Sequence, residues 1–135
     1  MHTSSPGAAL MRNALVLLVS IIVLLAGAAA ASAHSFPEEE SPSAGQTLSA
    51  PPAEVSIKFD APIEHLFAKI EVDDPDGKNY ALGDPVISAD ALSIAVKVGA
   101  LAPGVYTVKW AVLCIDTHHT NGSYIFTVKK NGGGA

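Results

Sequence analysis

The residue with the most distinctive chemical prospects is His34, which directly follows Ala-Ser-Ala at positions 31–33. That tripeptide ends an apolar run and has the small-x-small pattern that signal peptidases cleave. Cleavage there would make His34 the first residue of the mature chain, so that its α-amine and its imidazole could bind one metal ion together. Far along the chain, Asp116 and His118 lie two residues apart and offer a carboxylate and a second imidazole. Such a set of nitrogen and oxygen ligands favours a tetragonal site for Cu(II).

The first 33 residues have the three parts of a secretory signal peptide. Residues 1–13 carry one positive charge, Arg12, and no acidic residue, and residues 14–31 carry no charge at all. An uncleaved membrane anchor is the alternative, because an apolar stretch of about 18 residues approaches membrane-spanning length. Without cleavage, the nitrogen of His34 would remain a peptide amide. We predict a signal peptide over residues 1–33. The mature protein is then expected in the periplasm, or outside the membrane if the cell has no outer membrane.

The predicted mature chain is small, acidic and poor in cysteine. Removing 33 of the 135 residues leaves 102, which is enough for the core of one domain. Seven lysines stand against 13 acidic residues, so the net charge is −6 with neutral histidines. This charge and the lack of a basic stripe argue against nucleic-acid binding. Cys114 is the only cysteine, which excludes an internal disulfide and predicts a buried, unreactive thiol.

Alternating apolar and polar residues predict an all-β domain over residues 34–130. The alternating stretches are residues 55–59, 68–72, 92–98, 105–113 and 124–128, with a further short run around Tyr80 and Leu82. Residues 37–53 are rich in Pro, Ser, Ala and Gly, and we interpret them as a loop with one apolar contact, Leu48. About seven short strands predict a Greek-key β-sandwich or small barrel, immunoglobulin-like or cupredoxin-like. The glycine-rich tail, residues 131–135, is predicted to be disordered.

Three stretches of the mature sequence share the residue order of one protein family. After His34 come Ser41-Pro42, Ala44-Gly45, Leu48 and Pro52-Ala53-Glu54-Val55, followed by Phe59-Asp60-Ala61-Pro62-Ile63. Residues 101–110 then have the spacing L-x-x-G-x-Y-x-V-x-W, and residues 116–126 read D-x-H-x-x-x-G-x-Y-x-F. Together these stretches resemble the CopC-type copper-resistance family, whose members are small exported copper-binding β-domains. The resemblance covers essentially the whole mature chain, and its last block is the most specific part.

The resemblance implies a Greek-key β-barrel with a Cu(II) site. His34 would bind through its α-amine and ring, Asp116 through its carboxylate and His118 through its ring, with one Cu(II) ion per chain. It also implies a monomeric protein of copper homeostasis, resistance or delivery, and no enzymatic activity. Copper would pass to a CopD-like inner-membrane transporter or to a recipient cuproprotein.

The sequence departs from the family pattern in two respects. Some family members have a second site, for Cu(I), in a methionine-rich loop, whereas the only methionines here are Met1 and Met11. Both lie in the predicted signal peptide, so we expect no Cu(I) site. His119 stands where the family often has proline. Alternation along an extended chain would turn it away from His118, which predicts a surface position.

Two other functions remain open at this point. A terminal histidine with a second histidine also forms the copper brace of polysaccharide monooxygenases, and oxygen-dependent turnover with a reductant would identify such an enzyme. However, a carboxylate ligand disfavours Cu(I), and a domain of this size with few exposed aromatic residues offers little surface for a polymer. The other alternative is a metal-free immunoglobulin-like interaction domain, in which replacing His34 or His118 by alanine would not change copper binding.

Overall fold

The chain divides into two units, residues 1–31 and residues 32–135, and the computed structural model describes residues 6–26 and 34–130. In the first unit, helix α1 spans Pro6–Ala26. By length and composition this helix could cross a membrane, and a signal sequence near the N-terminus meets the same criteria. The predicted cleavage site at residues 31–33 and the predicted disordered tail at residues 131–135 both lie outside the described residues.

Within residues 34–130, the second unit has eight strands in two four-stranded sheets. They are β1 (Pro37–Ser41), β2 (Thr47–Leu48), β3 (Glu54–Phe59), β4 (Ile63–Asp73), β5 (Val86–Ile87), β6 (Ser93–Lys97), β7 (Gly104–Cys114) and β8 (His119–Val128). One sheet has the order β1-β3-β6-β5 and the other the order β2-β8-β7-β4. All neighbouring strands are antiparallel except β2, which pairs with β8 in parallel. Neither of these sheets closes into a barrel, so the sandwich form of the predicted fold is the one observed.

The alternating patterns in the sequence place the core between the two sheets. In β3, Val55, Ile57 and Phe59 are buried, whereas Ser56 and Lys58 between them are half-buried. The inward faces of β7 and β8 follow the same rule, because successive side chains of a strand point to opposite faces. Buried residues of these two strands include Tyr106, Val108, Trp110, Val112, Cys114, Tyr124, Phe126 and Val128.

One close contact fixes the centre of the β7–β8 hairpin. Trp110 and Gly122 lie directly opposite each other, and the Trp110 ring packs edge-to-face on Phe59 with 5.4 Å between ring centroids. A Cβ atom added at Gly122 would lie 2.7 Å from the Trp110 ring, so only glycine leaves room for the indole here. The hairpin that leads to residues 114–118 is therefore held by core packing as well as by its backbone ladder.

The prediction for residues 37–53 was wrong in part, because this segment contains β1 and β2. Strand β1 carries Glu38, Glu39 and Glu40 at the edge of its sheet, so its sequence shows no apolar alternation although Pro37 and Glu40 are half-buried. Strands β2 and β5 have two residues each, which is too short for any periodicity to appear. With these short strands the count is eight, one more than predicted.

Candidate metal centre

A tight turn between β7 and β8 brings Asp116 and His118 together. The Cys114 N–H donates to the His118 carbonyl at 2.8 Å, and the Thr117 N–H donates to the Cys114 carbonyl at 2.9 Å. Thr117 has a φ of 70°, in the left-handed region, which costs a β-branched residue on the order of 1–3 kcal/mol. Residues 115–118 lie between the two strands, so Asp116 and His118 are not on extended backbone. A hydrogen-bonded turn, and not strand alternation, sets their relative position.

The Asp116 carboxylate contacts both the backbone N–H and the ring of His118. Its Oδ1 accepts a hydrogen bond from the His118 backbone N–H at 3.1 Å, and its Oδ2 lies 2.9 Å from His118 Nδ1. The hydrogen bond from the His118 ring lowers the pKa of Asp116 below its usual value, helped by the backbone N–H and the charges of His118 and His34. The carboxylate is therefore ionised at neutral pH. If Nδ1 carries the proton that it shares with Asp116, Nε2 of His118 has the lone pair that a metal needs.

His34 lies beside this turn although it is 82 residues away from Asp116 in the sequence. Its Nε2 is 3.6 Å from Asp116 Oδ2, and its ring centroid is 5.4 Å from that of His118. One ligand atom from each of the three residues lies within 4.8 Å of the others. Ligands that each lie about 2 Å from an ion are at most about 4 Å apart, so modest side-chain rotations would close this cluster on one ion.

Contacts of the next two residues bring His34 to the turn. We call Ser35 and Phe36 the tether. Ser35 is fully buried, and its N–H donates to the Cys114 thiol at 3.4 Å while its hydroxyl donates to the Pro62 carbonyl at 3.1 Å. The Phe36 N–H donates to Oδ1 of Asp60 at 2.8 Å. The tether thus fastens the chain to the end of β7 and to the segment between β3 and β4.

The cluster is open to solvent. The side chains of His34 and His118 are 51% and 71% exposed, and that of Asp116 is 24% exposed. A small ion can therefore reach the three ligand atoms without any opening of the fold. In the full-length chain the nitrogen of His34 is a peptide amide, so the fourth predicted ligand, the α-amine, exists only after cleavage.

Two neighbours of the cluster are placed as the sequence predicted. His119 is exposed at the start of β8, and its ring packs edge-to-face on Phe67 with 5.2 Å between centroids. Cys114 is fully buried, as predicted for a lone cysteine. The sequence did not predict the contacts of this thiol. It accepts a hydrogen bond from the Ser35 N–H and lies 2.6 Å from the Thr120 hydroxyl. Asp60 and Ser35 were also missed, since nothing in their local sequence indicates which backbone groups they bind.

Together, the fold and the cluster define a small β-sandwich domain with two histidines and an aspartate gathered at one end of a hairpin. The family profile of the CopC domain matches residues 37–129, and the chain belongs to the CopC family. The family resemblance predicted from the sequence is thereby confirmed.

Solved structures with this fold include two copper-related proteins. The CopC protein of Methylosinus trichosporium OB3b is 33% identical, with a TM-score of 0.66 over 71% of this chain and 94% of that one. PcoC, a methionine-rich copper resistance protein from Escherichia coli, is 25% identical, with a TM-score of 0.61 over 72% of this chain and all of that one.

Curated relatives extend the comparison to sequence. Protein YobA of Escherichia coli K12 is 29% identical over 121 residues, which are 88% of this chain and 94% of YobA. The copper transport protein CutJ of Bacillus subtilis is 31% identical over 104 residues. That match spans 76% of this chain and 19% of CutJ, so the shared region is about a fifth of the longer protein.

Proposed function

We propose that the mature protein is an exported copper carrier that binds one Cu(II) ion through His34, Asp116 and His118. The α-amine and ring of His34, the Asp116 carboxylate and the His118 ring are the four ligand groups. The observation that carries this proposal is that His34 lies beside the turn that holds Asp116 and His118, which we call the D-x-H turn. The distance between His34 Nε2 and Asp116 Oδ2 is 3.6 Å.

The chemistry of the ligand groups supports Cu(II) over other ions and over Cu(I). Cu(II) is the strongest binder among the divalent first-row metals, and imidazole and carboxylate ligands in a tetragonal arrangement suit it. Cu(I) prefers sulfur ligands. Both methionines lie within the first 11 residues, and the one thiol, of Cys114, is buried and occupied by Ser35 and Thr120. A second, soft site therefore has no ligands in the mature chain.

Exposure of the cluster supports a carrier that takes up and releases its ion. Because His34 and His118 are more than half exposed, a second protein can approach the ion directly and replace the ligands one at a time. The recipient would be a CopD-like membrane transporter or a cuproprotein outside the cytoplasm. The relative CutJ, a longer copper transport protein with one region that matches this chain, supports the link to transport.

The proposal depends on removal of residues 1–33, and mass spectrometry of the exported protein tests this step. The expected N-terminus is His34. Recovery of the protein with an intact helix α1, in the membrane fraction, would contradict cleavage and remove the α-amine from the ligand set.

An electron paramagnetic resonance titration tests the site itself. Cu(II) is added to protein that begins at His34 and, in parallel, to protein with one extra glycine before His34. The expected result is one stoichiometric tetragonal signal with nitrogen splitting in the first protein and a weaker, altered site in the second. Identical and heterogeneous signals in both proteins would contradict the terminal-amine site.

Matched histidine variants separate the cluster from general surface binding. His118→Ala removes one ligand, whereas His65→Ala removes an exposed histidine of β4 outside the cluster. We expect the tetragonal signal to be lost in His118→Ala and retained in His65→Ala. Equal effects of the two substitutions would favour the metal-free interaction domain, with copper bound only adventitiously.

A further inference from the structure

We propose that Asp60 is a positioning residue for the proposed copper site, because it holds the backbone that aims His34 at the D-x-H turn. This role rests on the proposed function. Asp60 does not belong to the three-residue cluster and acts on His34 through Phe36.

Asp60 and Phe36 form a reciprocal pair of hydrogen bonds. The Phe36 N–H donates to Asp60 Oδ1 at 2.8 Å, and the Asp60 N–H donates to the Phe36 carbonyl at 2.9 Å. The next residue along, Pro37, is already paired with Phe59 in the β1–β3 ladder. The carboxylate therefore extends this ladder by one further contact toward His34. Hydrogen bonds to an ionised acceptor are stronger than neutral ones, so this contact is well suited to hold a chain end.

The alternative to this contact is a frayed terminus. Chain ends are poorly ordered unless they are tied down. If Phe36 were released, the first residues of the mature chain would lose a backbone anchor next to Ser35, whose own anchors are its contacts with Cys114 and Pro62. Any backbone freedom of His34 and Ser35 in the metal-free protein must be lost when His34 binds an ion through two nitrogens, and that loss weakens binding. A tether ordered in advance removes this cost.

The first test removes the acceptor. In protein that begins at His34, Asp60→Ala deletes the carboxylate, Asp60→Asn keeps an acceptor oxygen but no charge, and Asp84→Ala is a control that removes an exposed carboxylate elsewhere. We expect the Cu(II) affinity to fall about tenfold in Asp60→Ala, less in Asp60→Asn and not in Asp84→Ala. Equal losses in both alanine variants would mean that only the negative charge matters and would overturn the positioning role.

The second test removes the donor and keeps the Asp60 charge. Phe36→Pro has no backbone N–H, whereas Phe36→Ala loses the same exposed ring but retains the N–H. We expect Phe36→Pro to bind Cu(II) about tenfold more weakly than Phe36→Ala. The loss should not add to that of Asp60→Ala, since both changes break one bond. Independent, additive losses would contradict the role. Because two substitutions at different positions break the bond, failure of one variant to fold leaves the other as the test.

Hydrogen exchange in the metal-free protein provides a readout that does not depend on copper. The Phe36 amide should exchange faster in Asp60→Ala than in Asp84→Ala, while amides of β7 and β8 keep their protection. Unchanged exchange of the Phe36 amide would overturn the role directly. A parent protein that binds no stoichiometric Cu(II) would overturn the proposed function, and the positioning role with it. A parent that binds as proposed, with Asp60→Ala equal to Asp84→Ala, would overturn the positioning role alone.

Discussion

The two sides of the proposed copper site are held in place by different kinds of interaction. On one side, Asp116 and His118 are fixed by a turn whose hydrogen bonds all lie between residues 114 and 118. On the other side, His34 is fixed by contacts of the tether with Asp60, Pro62 and Cys114, which are distant in sequence. The contacts of the turn side are therefore local in sequence. Those of the tether side join segments about 24 to 79 residues apart.

One residue, Cys114, makes hydrogen bonds on both sides of the proposed site. Its backbone N–H and carbonyl close the turn, and its buried thiol accepts the Ser35 N–H. A single strand end therefore couples the local turn to the distant chain terminus. The ligand groups of the two sides are brought within reach of one ion because both are attached to the end of β7.

The largest expected effect comes from removing the carboxylate that touches both histidines. Asp116→Ala deletes a proposed ligand and the hydrogen-bond partner of His118, so we expect the Cu(II) affinity to fall by at least about a hundredfold. Competition with a chelator of known affinity, read by electron paramagnetic resonance, measures this loss. A loss this much larger than the one expected for Asp60→Ala would show that removing a proposed ligand weakens binding more than loosening the tether does.

Asp116→Asn is the matched variant for this prediction, because it retains an oxygen that can accept from the His118 N–H but carries no charge. If the carboxylate is a ligand, Asp116→Asn should lose nearly as much affinity as Asp116→Ala. If Asp116 only orients His118, the asparagine variant should bind almost as well as the parent protein, and Asp116 would have to be removed from the ligand set.

The next prediction distinguishes the stability of the β7–β8 hairpin from the geometry of the proposed copper site. Gly122→Ala would place a methyl group against the buried Trp110 ring, which is itself packed on Phe59. We expect the free energy of unfolding to fall by about 2 kcal/mol. Chemical denaturation measures it. Gly99→Ala is the control, because a Cβ there meets its nearest atoms at the ordinary distance of 3.8 Å.

In folded Gly122→Ala protein, the Cu(II) affinity should stay within about threefold of the parent value, since neither the turn nor the tether takes part in the packing of Gly122 against Trp110. A large loss of affinity without loss of stability would mean that the hairpin packing, and not the local turn, sets the geometry of Asp116 and His118.

Local sequence patterns predicted the parts of the molecule that local forces determine. Strands β3, β7 and β8 follow from apolar alternation, and the candidate ligands follow from their types, spacing and resemblance to a family. The edge strand β1 was missed because its run of glutamates shows no apolar alternation, and only backbone pairing with β3 defines it as a strand. The roles of Ser35 and Asp60 were missed for a related reason, since a side chain that binds distant backbone leaves no periodic signal. The left-handed Thr117 was missed because that conformation is rare for threonine.

The smallest expected effect tests whether the turn side can be altered without disturbing the tether side. Thr117→Asn keeps a polar side chain but suits the left-handed conformation better than a β-branched residue does, so we expect a gain of about 0.5 kcal/mol in the free energy of unfolding. Thr107→Asn, in the middle of β7, is the control and should lose about 0.5 kcal/mol, because asparagine is disfavoured in strands. Thermal denaturation of the metal-free proteins gives both values. The Cu(II) affinity of Thr117→Asn should match that of the parent, because the hydrogen bonds that the Asp116 carboxylate accepts from His118 do not involve the threonine side chain. A loss of stability in Thr117→Asn would mean that the threonine side chain stabilises the turn by more than its backbone strain costs.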